Sequence, residues 1–243
     1  MKLFWSGRPA NKYNGPPPAA EVADTLKELL DQCQSRPDSG TPLTDVCFLV
    51  VDTETTGLSP AEGDEIIALG AVAVERGCVQ RGKVFNRLVN PYRDVPLLVT
   101  ELTGITADMV DGAGDIYTVL QDFLPWLRNT VLVGHYVDFD LEFLNRKLQQ
   151  ACNRKIVNPA LDTCTISRAL YPRWASHSLD HLLANHQIEP AGRHTALGDA
   201  LLTAELFLQL LELLRERGVY TLGDLHLFLD EHLDYYYRVG FNL

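Results

Sequence analysis

Phe48-Leu49-Val50-Val51-Asp52-Thr53-Glu54-Thr55-Thr56-Gly57-Leu58 is the stretch on which the reading of the whole chain turns. Its apolar run marks a buried central strand. At the end of that strand stand two carboxylates one residue apart. Side chains at i and i+2 of a strand share a face, so Asp52 and Glu54 converge. Two carboxylates leaving a buried strand repel each other and lose hydration unless a positive charge lies between them. A hard divalent cation such as Mg²⁺ answers both problems, because it favours carboxylate and water oxygens. Taken alone, the same residues also fit a solvated acidic turn.

Downstream of this strand, residues 65–75 and 79–89 read as two strands joined as a hairpin around Arg76-Gly77. Residues 101–106 form a turn opening a short helix. Residues 116–127 have helical periodicity, interrupted at Pro125. A short buried strand over 130–134 leads to a helix over about 139–151, and Leu161-Asp162-Thr163 marks another strand end. Helical patterns follow over 165–170, 179–186 and 196–215, and again in a tail over 222–237. Strands first, then alternating helices and strands, indicate an α/β domain with a mixed sheet.

Upstream, Gly15 and Pro16-Pro17-Pro18 close an extended lead-in over residues 1–19. In residues 21–33, Val22, Leu26, Leu29, Leu30 and Cys33 recur at helical spacing. That helix is expected to pack on the main domain rather than serve a partner, and residues 35–45 read as a linker. The division expected is a 1–45 extension, a 46–217 domain and a 218–243 helical tail.

Composition narrows the class. With 243 residues, 46% hydrophobic and 22% charged, the chain can bury a sizeable core. No apolar run approaches the roughly 20 residues a bilayer span needs, and the N-terminus lacks an apolar signal segment. Five scattered cysteines without a C-x-x-C pair argue against a zinc site or disulfide framework. A reducing, cytoplasmic setting is the expectation. The net charge of −11 lacks the basic footprint of proteins that grip long nucleic acid. Any nucleic acid would be contacted locally, with bound metal supplying positive charge.

Two further carboxylates sit where a metal site would want them. Asp140 closely follows the 130–134 strand at the start of a helix, delivering an acid near the top of the sheet. Asp138 competes for that place, but its expected job is to cap the helix. Asp199 lies one turn into the long helix, five residues after His194. On a continuous helix five residues turn by about 140°, so the two side chains would diverge. With His194 in a loop before the helix, which Gly192 makes plausible, both can face one cleft. A histidine beside carboxylate-held metal suits proton abstraction from water near neutral pH. The other six histidines are read as structural or surface groups, His135 least firmly because it lies in the acidic loop.

Asp52-Thr53-Glu54-Thr55-Thr56-Gly57-Leu58, Gly134-His135-x-x-x-Phe139-Asp140 and His194-x-Ala196-x-x-Asp199 resemble the three motifs of the DEDDh 3′–5′ exonucleases. That superfamily includes the epsilon proofreading subunit of bacterial DNA polymerase III and ribonuclease T. The match runs over about residues 46–215, in order and at suitable spacing. The first and third motifs together are highly specific; the second is looser. The resemblance implies a ribonuclease-H-like mixed sheet flanked by helices, here with helical extensions at both ends. It also implies two divalent ions, Mg²⁺ or Mn²⁺, held by Asp52, Glu54, Asp140 and Asp199, with His194 as general base. Thr55, Gly57 and Leu58 match positions lining the terminal nucleotide, and Phe139 flanks the same pocket. Thr103 and Gly104 fall in a further nucleotide-contact segment, where the family often has His in place of Thr103. The family also often has Asn where this chain has Tyr136. Both departures bear on substrate preference, not on metal ligation.

The leading expectation is therefore a metal-dependent 3′–5′ exonuclease on single-stranded or frayed 3′ ends of DNA, releasing nucleoside 5′-monophosphates. RNA is the alternative substrate, since the motifs do not place contacts to a 2′-OH. A non-catalytic scaffold working through the termini and Tyr235-Tyr236-Tyr237 is the alternative of another class. A retired site has no physical reason to keep buried acids unpaired. The same termini could recruit a polymerase to an active enzyme.

Overall fold

The computed structural model describes residues 15–33 and 36–240, without the side chains of 233–240. The lead-in before residue 15 and the side chains of Tyr235-Tyr236-Tyr237 therefore lie outside the described residues. The chain runs α1 (Ala20–Asp31), β1 (Phe48–Thr55), β2 (Ile66–Glu75), β3 (Cys78–Asn90), α2 (Leu97–Thr103), α3 (Ala107–Asp111), β4 (Gly114–Asp115) and α4 (Ile116–Phe123). It continues through β5 (Val131–Gly134), α5 (Val137–Cys152), β6 (Ala160–Asp162), α6 (Thr163–Leu170), α7 (Leu179–Asn185), α8 (Ala196–Glu216) and α9 (Leu222–Gly240).

These elements build one six-stranded sheet in the order β4-β3-β2-β1-β5-β6. β1 is central, antiparallel to β2 and parallel to β5, which makes the mixed sheet expected. The hairpin turns at Arg76 and Gly77, both at positive φ, where glycine is free of strain and Arg76 is not. Pro125 stops α4 at Phe123, and the chain continues as a 3-10 turn to Leu127.

Alternation along β1 sorts its side chains between two cores. Phe48 and Val50 face α8, where Phe48 meets Phe207 edge-on at 4.9 Å between ring centroids. Leu49 and Val51 face the other layer, made by α1, α4 and α5. Continuing the same alternation puts Asp52 and Glu54 on the α8 side and Thr53 on the α5 side.

α1 packs as expected: Leu26, Leu30 and Cys33 are buried against that second layer. The stretch read as a linker is pinned to Tyr220 and the start of α9. Leu43 N–H donates to Tyr220 C=O, Leu222 N–H to Thr41 C=O and Gly223 N–H to Ser39 C=O, at 2.8, 3.1 and 2.7 Å. Helix α2 and the two-residue β4 have no counterpart in the periodicity reading. One expectation fails at α5. Asp138 does not cap it, because Tyr136 takes a left-handed conformation (φ 64°) and the helix starts at Val137. Asp138 is thereby carried into the first turn, exposed.

Candidate active site

β1, α5 and α8 bring four acids together. One carboxylate oxygen from each of Asp52, Glu54 and Asp199 lies within 4.8 Å of the other two. Gly70 makes this approach possible. It pairs with Asp52 across the β1–β2 ladder. A Cβ there would lie 2.2 Å from the backbone carbon of Ala196 and 2.3 Å from Leu197 N, so only glycine admits the start of α8 this close to the sheet. Asp199, one turn further on, is lowered onto the strand ends. Asp140 approaches from the other side, 4% exposed. Its Oδ1 accepts from the N–H and the hydroxyl of Thr53 at 2.8 and 2.6 Å.

Burial and crowding both favour the protonated acids. Asp52 is held well above the usual carboxylate range, first by burial and then by the charges of Asp140, Asp199 and Glu54. Burial, with Asp199 and Asp140 adding to it, pushes Glu54 up to about 7. Asp140 is also pushed up to about 7 by burial, against the pull of the Thr53 hydrogen bonds. Such a set calls for added positive charge, and all-oxygen carboxylate donors suit a hard divalent ion. The three carboxylate oxygens within 4.8 Å of one another are a donor set that such an ion could draw together.

The loop before α8 supplies a nearby cation. Gly192 and His194 have positive φ (82° and 62°), and the Thr195 hydroxyl caps α8 by accepting from Gly198 N–H at 3.1 Å. Gly198 is a second close approach, since a Cβ there would collide with the Gly192 carbonyl oxygen. His194 thus lies in the loop rather than on the helix, and its N–H donates to Asp199 Oδ1 at 3.3 Å. Arg193 is the residue the motif reading missed. Its guanidinium bonds Asp199 Oδ2 through Nη1 and Asp180 Oδ1 through Nε, the latter at 2.7 Å. Its charge opposes the upward shifts of Asp52 and Glu54. A lone arginine beside a histidine has no motif signal; only its ion pairs reveal it. His135 is kept neutral, its imidazole pushed down to about 4 chiefly by burial, with Nδ1 at 2.9 Å from the Thr163 hydroxyl.

A family model described as "Exonuclease" matches residues 49–207, more than half of the chain. The chain belongs to the exonuclease family. This exonuclease is 39% identical over 170 residues to the DNA polymerase III subunit epsilon of Aquifex aeolicus, covering 70% of this chain and 83% of the relative. It is 44% identical over 187 residues to a DNA polymerase III subunit epsilon-like protein of Rhodobacter capsulatus. That match takes in 75% of this chain but only 26% of the relative's length. Among solved structures, the nuclease domain of 3′hExo, a DEDDh family member bound to rAMP, aligns with a TM-score of 0.62. The identity is 21%, over 71% of this chain and 94% of that one, which is a likeness of fold.

The other predicted positions of this exonuclease lie on the elements that carry the acids or pack against them. Thr55 is buried, its hydroxyl donating to the Gly57 carbonyl at 2.6 Å. Gly57 has a packing reason to be glycine: a Cβ would lie 2.3 Å from Asp64 Oδ2, the carboxylate that holds Ser59 N–H and pairs with Arg93. Leu58 is 77% exposed just past the strand end. Phe139, in the first turn of α5, packs on Phe143 at 5.0 Å. Thr103 and Gly104 end α2, and the Thr103 hydroxyl serves its own turn, donating to Val99 C=O and accepting from Ile105 N–H. The hydrogen bonds of Thr103 do not reach the acids. α2 and the segment around it join the site through packing of Val99 and Ile105 against Ala68 and Ala196. Ala68 is the partner of Glu54 in the ladder. Leu98 and Leu102, one turn apart on α2, are exposed beside this contact.

Proposed function

We propose that this exonuclease removes nucleotides from single-stranded or frayed 3′ ends of DNA, in the 3′–5′ direction, releasing nucleoside 5′-monophosphates. The convergence of Asp52, Glu54 and Asp199 within 4.8 Å, with Asp140 beside them, carries the reading. These four acids would hold two divalent ions, Mg²⁺ or Mn²⁺. Once bound, the ions would polarise the attacking water and offset charge on the leaving 3′ oxygen. Thr53 fixes Asp140 so that its carboxylate keeps one orientation, and the Gly70 contact does the same for the start of α8 and hence Asp199. His194 takes the proton from water as general base, a task for which an imidazole near neutral pH is suited. Leu58 offers an apolar face to the terminal base, with Phe139 flanking it.

DNA is favoured because the relatives at 39% and 44% identity carry DNA polymerase III epsilon names. On the same ground a polymerase is the expected protein partner. We infer a cytoplasmic place, a reading those names and the five free cysteines support. Among the described residues, no helix is long and apolar enough to cross a membrane. The test is digestion of 3′-labelled single-stranded DNA and RNA oligonucleotides with Mg²⁺, Mn²⁺ or EDTA, using wild type and Asp52→Ala. Labelled mononucleotide should appear first, only with metal, faster from DNA, and with Asp52→Ala slower by at least about a hundredfold. An Asp52→Ala protein as fast as wild type would refute the assignment.

A further inference from the structure

Both oxygens of Asp199 are already engaged by the loop that precedes it. Oδ2 is taken by the Arg193 guanidinium and Oδ1 by the His194 N–H. Arg193 bridges two acids: its Nε is held by Asp180 at the start of α7, while its Nη1 reaches the acid cluster. The arginine side chain is 17% exposed and that of Asp199 is 9% exposed, so the pair is poorly hydrated and its attraction little screened. A divalent cation sharing Asp199 has to compete with the charge of Arg193 for this carboxylate. Arg193 and His194 are consecutive, and the turn they occupy rests on Gly198. A backbone shift at one therefore moves the other.

We propose that Arg193 is a positioning residue, a built-in counter-cation that competes with divalent metal for Asp199 and couples metal loading to the position of His194. The inference rests on the metal-dependent reading above. In the metal-free protein Arg193 neutralises part of the acid cluster and parks the loop on α8. Metal binding releases the guanidinium from Asp199 while Asp180 keeps it nearby. The His194 loop is then freed only in molecules that hold metal.

The experiment measures Mn²⁺ affinity by electron paramagnetic resonance of the free ion. It compares wild type, Arg193→Gln and Arg215→Gln, the last removing an exposed charge on α8 that pairs with Glu212. Folding of each variant is checked by its thermal midpoint in EDTA. Arg193→Gln should bind Mn²⁺ about tenfold more tightly than wild type, the strength of one charged hydrogen bond. Arg215→Gln should match wild type. In parallel, saturating Mn²⁺ should speed tryptic cleavage of wild type after Arg193 relative to its other sites. Equal affinities for wild type and Arg193→Gln, or equal tightening by both substitutions, would overturn the proposal. So would cleavage after Arg193 that ignores metal. Failure of all three proteins to bind Mn²⁺ would instead overturn the metal site itself, and the inference with it.

Discussion

On the proposed reading Glu54 is a metal ligand as well as a half-buried side chain, and the two demands oppose each other. Its carboxyl titrates near 7 in the folded chain, against about 4.3 when the chain is unfolded. Between those values the folded state binds more protons than the unfolded state. The stability of the metal-free protein must therefore fall as pH rises from about 4 through 7, and Asp52 and Asp140 act in the same direction. Glu54→Gln removes the charge and keeps the shape. In EDTA at pH 8 the variant should melt above wild type, each 1 kcal/mol gained raising the midpoint by about 2–4 °C for a domain this size. The gap should close towards pH 5. In excess Mg²⁺ the order should reverse, since only wild type keeps the full ligand set and gains from binding. Thermal scans across pH, with and without metal, check all three statements. A variant no more stable than wild type at pH 8 in EDTA would mean the acids are not strained.

β2 and α8 meet where a side chain is missing, and that contact sets the depth of the site. Gly70→Ala places a methyl group inside the Ala196–Leu197 backbone, so the start of α8 must lift off the sheet. Overpacking of this kind destabilises by about 1–3 kcal/mol, but the more telling effect should be on metal affinity, because Asp199 rides on the same turn. Gly82→Ala on β3, where a Cβ meets nothing within 4 Å, serves as the control. Calorimetric titration with Mn²⁺ should show weaker binding for Gly70→Ala alone. Elements of this kind divide what could be read in the sequence from what could not. The D-x-E pair, Asp140 and Asp199 were visible because acids at the ends of apolar runs break the hydrophobic pattern. The position of His194 followed from arithmetic on a helical turn and a preceding glycine. Arg193 was not visible, because an arginine in a polar loop matches the ordinary background. Neither was the weight of Gly70, whose neighbour Ala196 is 126 positions away. Asp138 was misassigned for a related reason: the left-handed Tyr136 is bonded by its N–H to Asp162 of β6, a partner no local pattern contains. Helix α2 escaped because Leu97-Leu98-Val99-Thr100 offers its apolar residues to solvent as well as to the core.

At the scale of the molecule, α1 and the start of α9, which flank the family match, pack on the same cores as the matched elements. Leu26 of α1 is fully buried in the layer that backs β1, and Leu26→Ala should lower stability by about 2–5 kcal/mol without slowing hydrolysis per folded molecule. A melt and an assay well below it separate the two effects. Charge is the other property of the whole chain that bears on function. At −11 the protein repels a polyanion overall, so on the proposed reading affinity for a DNA strand comes from the cleft at the end of β1, a few local contacts and the exposed Leu58. Each phosphate neutralised by the protein steepens the salt dependence of binding to a single strand by about 0.7 in log–log slope. With two or three such contacts the slope should be only about −1.4 to −2.1. The measurement is fluorescence anisotropy of a labelled oligothymidine with His194→Ala protein, which keeps all four acids, in Mg²⁺ at increasing salt. A shallow line is the expected outcome. A slope steeper than about −5 would require seven or more phosphate contacts, a basic track for which this acidic surface has no room. Affinity would then have to be traced to a face other than the cleft at the end of β1.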